Sequence, residues 1–179
     1  MFTIDNTVLI LVDIQGKLAS LMHGKDELFK NLEIIVKSMN TLKIPIIWME
    51  QVPEKLGGTI DEIALNLPDS TPVPKYTFSC CANSQFLEKI ESMQRKQVLL
   101  TGIESHICVY QTACDLISDG YDVQVISDCV SSRTILNKNI GLKRMSQAGA
   151  LTTSSEMILF ELMKSTKSEG FREITKLIK

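Results

Sequence analysis

Val8-Leu9-Ile10-Leu11-Val12 runs directly into Asp13-Ile14-Gln15, and this stretch decides the fold. Five aliphatic residues fall far short of the roughly 20 needed to cross a membrane. They read as a buried strand. Beyond them, Leu28, Leu32, Ile35, Met39 and Leu42 are spaced by fours and threes, which places one apolar stripe on a helix. Ile44–Met49 is the next strand, with Pro45 at its entry, where a missing N–H does little harm. Strand and helix then continue to alternate. A helix is expected over Ser84–Met93, a strand over Val98–Thr101 and a helix over about His106–Ser118. A strand over Val123–Ser127, a helix over Asn137–Gln147 and a short strand over Ala150–Thr153 follow, and helices over Ser155–Met163 and Glu169–Ile178 end the chain. Such alternation implies an α/β fold of three layers, α-β-α, around a mostly parallel, Rossmann-like sheet.

Between Gln51 and Cys81 the pattern breaks. That stretch holds Pro53, Pro68, Pro72, Pro74 and the pair Gly57-Gly58, and it reads as one long irregular loop. Loops of this length in a compact domain usually carry function. No repeat, low-complexity tract or linker interrupts the chain, so residues 1–179 are expected to form one domain.

The 179 residues are 44% hydrophobic and 22% charged, which argues against disorder, collagen and coiled coil. A net charge of −2 offers no basic field for a phosphate backbone, so generic nucleic-acid binding is disfavoured. Five cysteines cannot all pair within a monomer, and a reduced intracellular chain is the simpler expectation. The opening Met1–Gln15 carries Asp5 and Asp13 and no Lys or Arg, which suits neither a secretory signal nor an Arg-rich transit peptide. A cytoplasmic protein is expected, with mitochondrial or other intracellular association left open.

In open α/β sheets, ligands sit beyond the carboxyl ends of the strands. Three places follow: Asp13-Ile14-Gln15, Glu50-Gln51, and Gly102 to Cys108. Cys108 falls in the first turn of a helix, whose dipole and free N–H groups favour a thiolate and can hold an oxyanion. A buried structural cysteine is the alternative. Asp13 ends an apolar strand, where a carboxylate is costly unless paired or functional; an Asx-turn or N-cap is the bland reading. Lys75 stands in the Pro-flanked, apolar segment Pro74-Lys75-Tyr76-Thr77-Phe78-Ser79, though a lone Lys is usually a solvated one.

Together these residues resemble the isochorismatase-like cysteine hydrolases. The resemblance runs through Leu11–Gln15, Lys75–Ser79, Thr101–Val109, Gln111–Ala113, Asp128–Arg133, Met145, Gly149-Ala150 and Thr152–Glu156. Each motif is weakly specific; their order and spacing are strong. Glu50–Gly57 and the tail Phe171–Lys179 look like the isochorismatase domain-containing protein 2 subgroup, some of whose relatives carry a ribonuclease name. The resemblance implies a triad: Cys108 as nucleophile, Asp13 as base and Lys75 as the cation that stabilises the thiolate. It implies an oxyanion hole from the backbone N–H groups of Glu104 and Cys108, presented by a cis peptide at Ile103–Glu104. A small-molecule substrate, probed by Gln15, Glu50, Gln51, Leu56, Tyr76, Ser105 and His106, and a homo-oligomer are implied as well.

Two departures narrow the activity. Nicotinamidases of the family keep an Asp/His metal cluster after the second strand, where this chain has Trp48–Pro53, and its only histidines are His23 and His106. No metal site is expected there. Isochorismatases proper lack the nucleophilic cysteine, so cleavage of isochorismate is not favoured. No Gly-x-Gly-x-x-Gly follows the first strand, and no nucleotide cofactor is expected. His106, two residues before Cys108, is expected to line a pocket or a subunit contact rather than serve as a base. Cys80, Cys81, Cys114 and Cys129 read as packing, the last at a strand end, and Arg133 as a structural hydrogen-bonder near a helix start. A non-catalytic binding protein on the same fold, and more weakly a ribonuclease, are the competing functions.

Overall fold

The computed structural model describes residues 1–67 and 71–179; Pro68 of the proline-rich stretch lies outside the described residues. The first strand, β1 (Thr7–Val12), is followed by α1 (Gly16–Ser20) and α2 (Lys25–Thr41). Next come β2 (Ile46–Gln51), the single-turn helices α3 (Pro53–Leu56) and α4 (Asp61–Ala64), and β3 (Val73–Lys75). A 3-10 turn at Cys80–Ala82 leads into α5 (Ser84–Ser92), β4 (Gln97–Ile103) and α6 (Cys108–Ser118). The chain ends with β5 (Asp122–Ser131), α7 (Ile135–Ala148), β6 (Leu151–Thr153), α8 (Ser155–Met163) and α9 (Phe171–Ile178).

Among the described residues the strands form one sheet in the order β3-β2-β1-β4-β5-β6, and every neighbouring pair is parallel. The period-2 geometry of β1 splits its side chains between two cores. Leu9 and Leu11 join α2, α8 and α9 on one face; Val8, Ile10 and Val12 join α5, α6 and α7 on the other. The first core is closed by the stripe expected of α2, in which Leu28, Leu32, Ile35 and Met39 are all buried. This is the three-layer α-β-α architecture.

The chain winds outward from β1 in both directions, so the sheet reverses between β1 and β4. Ligand crevices open at the carboxyl ends of the strands at such a reversal. Gly102 brings the two strands together there. Its φ is +116°, and a Cβ on it would lie 2.1 Å from the Val12 carbonyl oxygen. Only glycine fits.

Several boundaries differ from the sequence reading. The irregular stretch contains a strand, β3, whose three residues with Pro74 in the middle carry no strand signal. Proline is tolerated because β3 is an edge strand. β5 continues to Ser131, past an irregularity in its pairing with β4, so Cys129 lies inside a strand and not at its end. α6 starts at Cys108 and not at His106, because Ser105–Ile107 form a turn and Ile107 (φ −121°, ψ −94°) is not helical.

Candidate active site

Asp13 is the first residue after β1 and adopts a left-handed φ of +54°, rare outside glycine. Its side chain is buried. Lys75 is the last residue of β3 and is 0% exposed, among the largest side chains so enclosed in the described residues. An ammonium in that position must be paired. Its Nζ lies 2.7 Å from Asp13 Oδ2 and 2.5 Å from Gln51 Oε1, and donates to the carbonyls of Thr77 and Phe78 at 3.2 Å each. Three strand ends, β1, β2 and β3, therefore meet at one nitrogen.

Cys108 is the first residue of α6, buried, and electrostatically coupled to both Asp13 and Lys75. Burial holds Asp13 above the usual carboxylate range, and Lys75 only partly offsets it. Burial would lower the Lys75 ammonium, but the charge of Asp13, together with those of Cys108 and Cys80 and the hydrogen bond to Asp13, outweighs it and raises the ammonium above its ordinary value. For Cys108, burial and then the Asp13 charge push the thiol up to about 12, against the pull of Lys75. The expected preference for thiolate is thus reversed in the resting protein, because the helix start that should stabilise it is dry. Apart from the Lys75 ion pair, neither Asp13 oxygen receives a well-directed hydrogen bond among the described residues. The carboxylate retains lone pairs for a proton.

The turn before α6 is built around Glu104. The Ile103–Glu104 peptide is cis. The Glu104 carboxylate accepts from the backbone N–H of Arg133 at 3.0 Å and from Arg133 Nε at 3.2 Å, which assigns Arg133 a structural partner. The Glu104 carbonyl accepts from the N–H groups of Ile107 and Val109. The Cys108 N–H between them has no such acceptor among the described residues, and it points out of the first turn of a helix as an unused donor.

The other expected site residues divide into two groups. Gln15 is buried, and its amide is occupied by backbone: Nε2 donates to the carbonyls of Gln51 and Gly57, and Oε1 accepts from the Gln51 N–H. Glu50 holds the loop beyond α3, accepting from Thr59 N–H at 2.7 Å and Thr59 Oγ1 at 2.9 Å, while Trp48 Nε1 donates to the same hydroxyl. Tyr76 is 70% exposed, beside Thr77 and Phe78, which are exposed as well. Ser105 is buried, with its Oγ unpartnered. His106 is half-buried in the turn, Nδ1 3.0 Å from Ser132 Oγ, and Leu56 is half-buried at the end of α3.

Sequence reasoning missed the carbonyls of Thr77 and Phe78 as Lys75 acceptors, and a backbone oxygen leaves no side-chain signature. It also missed the clamp that fixes this segment to α6: Ser79 Oγ donates to Asp115 Oδ2 and Thr112 Oγ1 accepts from Cys80 N–H. Thr112 is one helical turn beyond Cys108, a spacing that could have drawn notice. Among the described residues no group of three or more His, Cys, Asp or Glu side chains converges as a metal site would require. No described helix is long and apolar enough to cross a membrane.

Comparison with known proteins agrees with this geometry. The isochorismatase domain model matches residues 7–157, and the chain belongs to the isochorismatase family. Isochorismatase family protein 1A of Dictyostelium discoideum is 34% identical over 97% of this chain and 86% of its own. Isochorismatase domain-containing protein 2 of Xenopus laevis is 33% identical over 97% and 83%. Among solved structures, the MAR1 ribonuclease of Caenorhabditis elegans superposes with a TM-score of 0.92 at 34% identity, over 99% of this chain and 91% of that one. The Escherichia coli YcaC product, described as an octameric hydrolase of unknown specificity, gives 0.93 at 22% identity over 99% and 88%, a likeness of fold.

Proposed function

We propose that this chain is a metal-independent cysteine hydrolase that cleaves a small carboxamide or related C–N bond through a thioester on Cys108. The observation that carries the reading is the fully buried Lys75–Asp13 ion pair, 2.7 Å long, at the sheet reversal beside the first residue of α6. The Cys108 proton passes to Asp13 as sulfur attacks the carbonyl carbon. Lys75 offsets the negative charge that carboxylate and sulfur share during the transfer, and the N–H groups of Glu104 and Cys108 hold that charge once it reaches the oxyanion. The C–N bond breaks as the amine takes the proton from Asp13. Water then attacks the thioester, giving a proton to Asp13 that returns to the departing sulfur.

Raised above its ordinary value, Asp13 is a stronger base than an exposed carboxylate, which suits it to deprotonate a thiol. Tyr76, exposed beside the Lys75 segment, and the turn residues Ser105 and His106 next to Cys108 are the side chains to select the substrate. No separate cofactor is invoked. Mass spectrometry of the intact protein after incubation with a metabolite mixture tests the reading. An acyl mass on Cys108, absent from Cys108→Ala, supports it; full turnover by Cys108→Ala removes it.

A ribonuclease reading is favoured by the names of solved structures such as that of Caenorhabditis elegans, and the net charge of −2 opposes it. RNA left intact by the purified protein disposes of it. A non-catalytic binding role would require the triad to be silent towards every amide offered. A homo-oligomer is proposed from the octameric Escherichia coli neighbour and from exposed apolar side chains such as Leu136, Leu151 and Met157, with light scattering as the check. A reducing cytoplasmic setting suits five unpaired thiols.

A further inference from the structure

We infer that Gln51 is a positioning residue for Lys75, the middle link of a side-chain brace Gln15–Gln51–Lys75, and not a substrate contact. The inference rests on the cysteine-hydrolase reading and adds a component to it. Gln15 clamps the backbone of Gln51 on both sides: Oε1 accepts its N–H at 2.7 Å and Nε2 donates to its carbonyl at 3.0 Å. Turning the Gln15 amide over would set donor against donor, so its orientation is fixed by its partners. Gln51 and Lys75 are register partners across β2 and β3, and their side chains share a face of the sheet. The Gln51 amide oxygen then meets Nζ at 2.5 Å.

The count of donors explains why the brace matters. An ammonium has three N–H bonds. Asp13 Oδ2, Gln51 Oε1 and the carbonyls of Thr77 and Phe78 supply four oxygens to them. Lys75 has no proton left for a substrate and acts as a fixed charge. Gln51 holds that charge with a neutral oxygen. A carboxylate in its place would hold the ammonium equally well, but it would cancel the positive field that a Cys108 thiolate needs.

The test uses iodoacetamide, a small neutral electrophile, on the folded full chain. Its reaction is complete in itself: the thiol proton leaves to Asp13 or solvent, the S–C bond forms and iodide departs. The rate of Cys108 alkylation, followed by intact and peptide mass spectrometry, is measured against pH for wild type, Gln51→Leu, Gln51→Glu and Lys75→Met. Gln51→Leu is expected to react about fivefold or more slowly, because the ammonium collapses onto Asp13 and both lose their aim. Gln51→Glu keeps the acceptor, and its profile is expected to move up by about one pH unit.

If Lys75→Met shifts the profile while both Gln51 variants follow wild type, the brace is overturned and the triad stands. If Lys75→Met itself follows wild type, the triad reading fails. Variants that react faster, and at Cys80 and Cys129 as well, are merely loosened, and that result also overturns the positioning role. Should Gln51→Leu not fold, Gln51→Asn decides in its place: it adds no charge and draws the amide oxygen back from Nζ, so slower Cys108 alkylation supports the brace and a wild-type rate and profile overturn it.

Discussion

Three helices leave the carboxyl edge of the sheet after β4, β5 and β6, and they begin in different ways. α7 is capped by Thr134, whose hydroxyl accepts from Asn137 N–H, and α8 by Ser154, which accepts from Met157 N–H. α6 begins at Cys108 behind Ile107, with no side-chain cap at all. A Ser or Thr cap is worth about 1 kcal/mol, so its omission costs stability. What the omission leaves is the unused Cys108 N–H beside a thiol, a carboxylate and an ammonium. The two capped starts serve the fold; the uncapped one leaves its donor available to a ligand.

The comparison can be broken most decisively at the thiol. Cys108→Ala and Asp13→Ala should each lower any amide turnover by about a thousandfold or more, with circular dichroism unchanged. Survival of activity in either would make α6 an ordinary helix start. Next in size, Lys75→Met leaves the Asp13 carboxylate buried without its cation. Unfolding in urea should show a loss of about 3–5 kcal/mol at neutral pH, partly recovered on acidification as Asp13 takes a proton.

The buried thiols supply a third, graded effect. Cys80, Cys81 and Cys108 are all pushed up to about 12 by burial, from an ordinary value of 9.0. A folded value above the unfolded one means stability fully present below pH 9.0 and lost as pH rises towards about 12. Denaturant midpoints should therefore fall above pH 9.0, and Cys80→Ala should flatten that fall. A midpoint indifferent to alkali would show these thiols to be wetter than their positions suggest. The smallest effect sharpens the contrast: Thr134→Ala and Ser154→Ala should each cost about 1 kcal/mol. Cys108 alkylation should be untouched by both, and a change in it would tie the capped helix starts to the site.

Much of the fold was legible in residue spacing. The helix stripe Leu28–Leu32–Ile35–Met39 and the strand Val8–Val12 are local patterns, set by 3.6- and 2-residue periods, and each appears where its period places it. β3 was not legible. Val73-Pro74-Lys75 has no strand pattern; it becomes a strand because β2 offers an open edge. The start of α6 was displaced by two residues because the bonds of Glu104 to Ile107 and Val109, and those of its carboxylate to Arg133, organise the preceding turn. The bonds to Arg133 reach 29 residues along the chain and are invisible to a local window.

For the site, the sequence by itself determined the candidates: Asp13 after a strand, Cys108 at a helix start and Lys75 in an apolar segment, in the order and spacing that the family shares. Only the tertiary structure decided that Lys75 would be wholly enclosed, that its nitrogen would meet three strand ends, and that Gln15 and Glu50 would spend their polar atoms on loop backbone. The physical reason is that a residue's type sets what bonds it is able to make. Which of those bonds form depends on burial and on neighbours distant in the chain. The same enclosure pushes Cys108 towards thiol instead of thiolate, a direction that helix position alone predicted with the opposite sign.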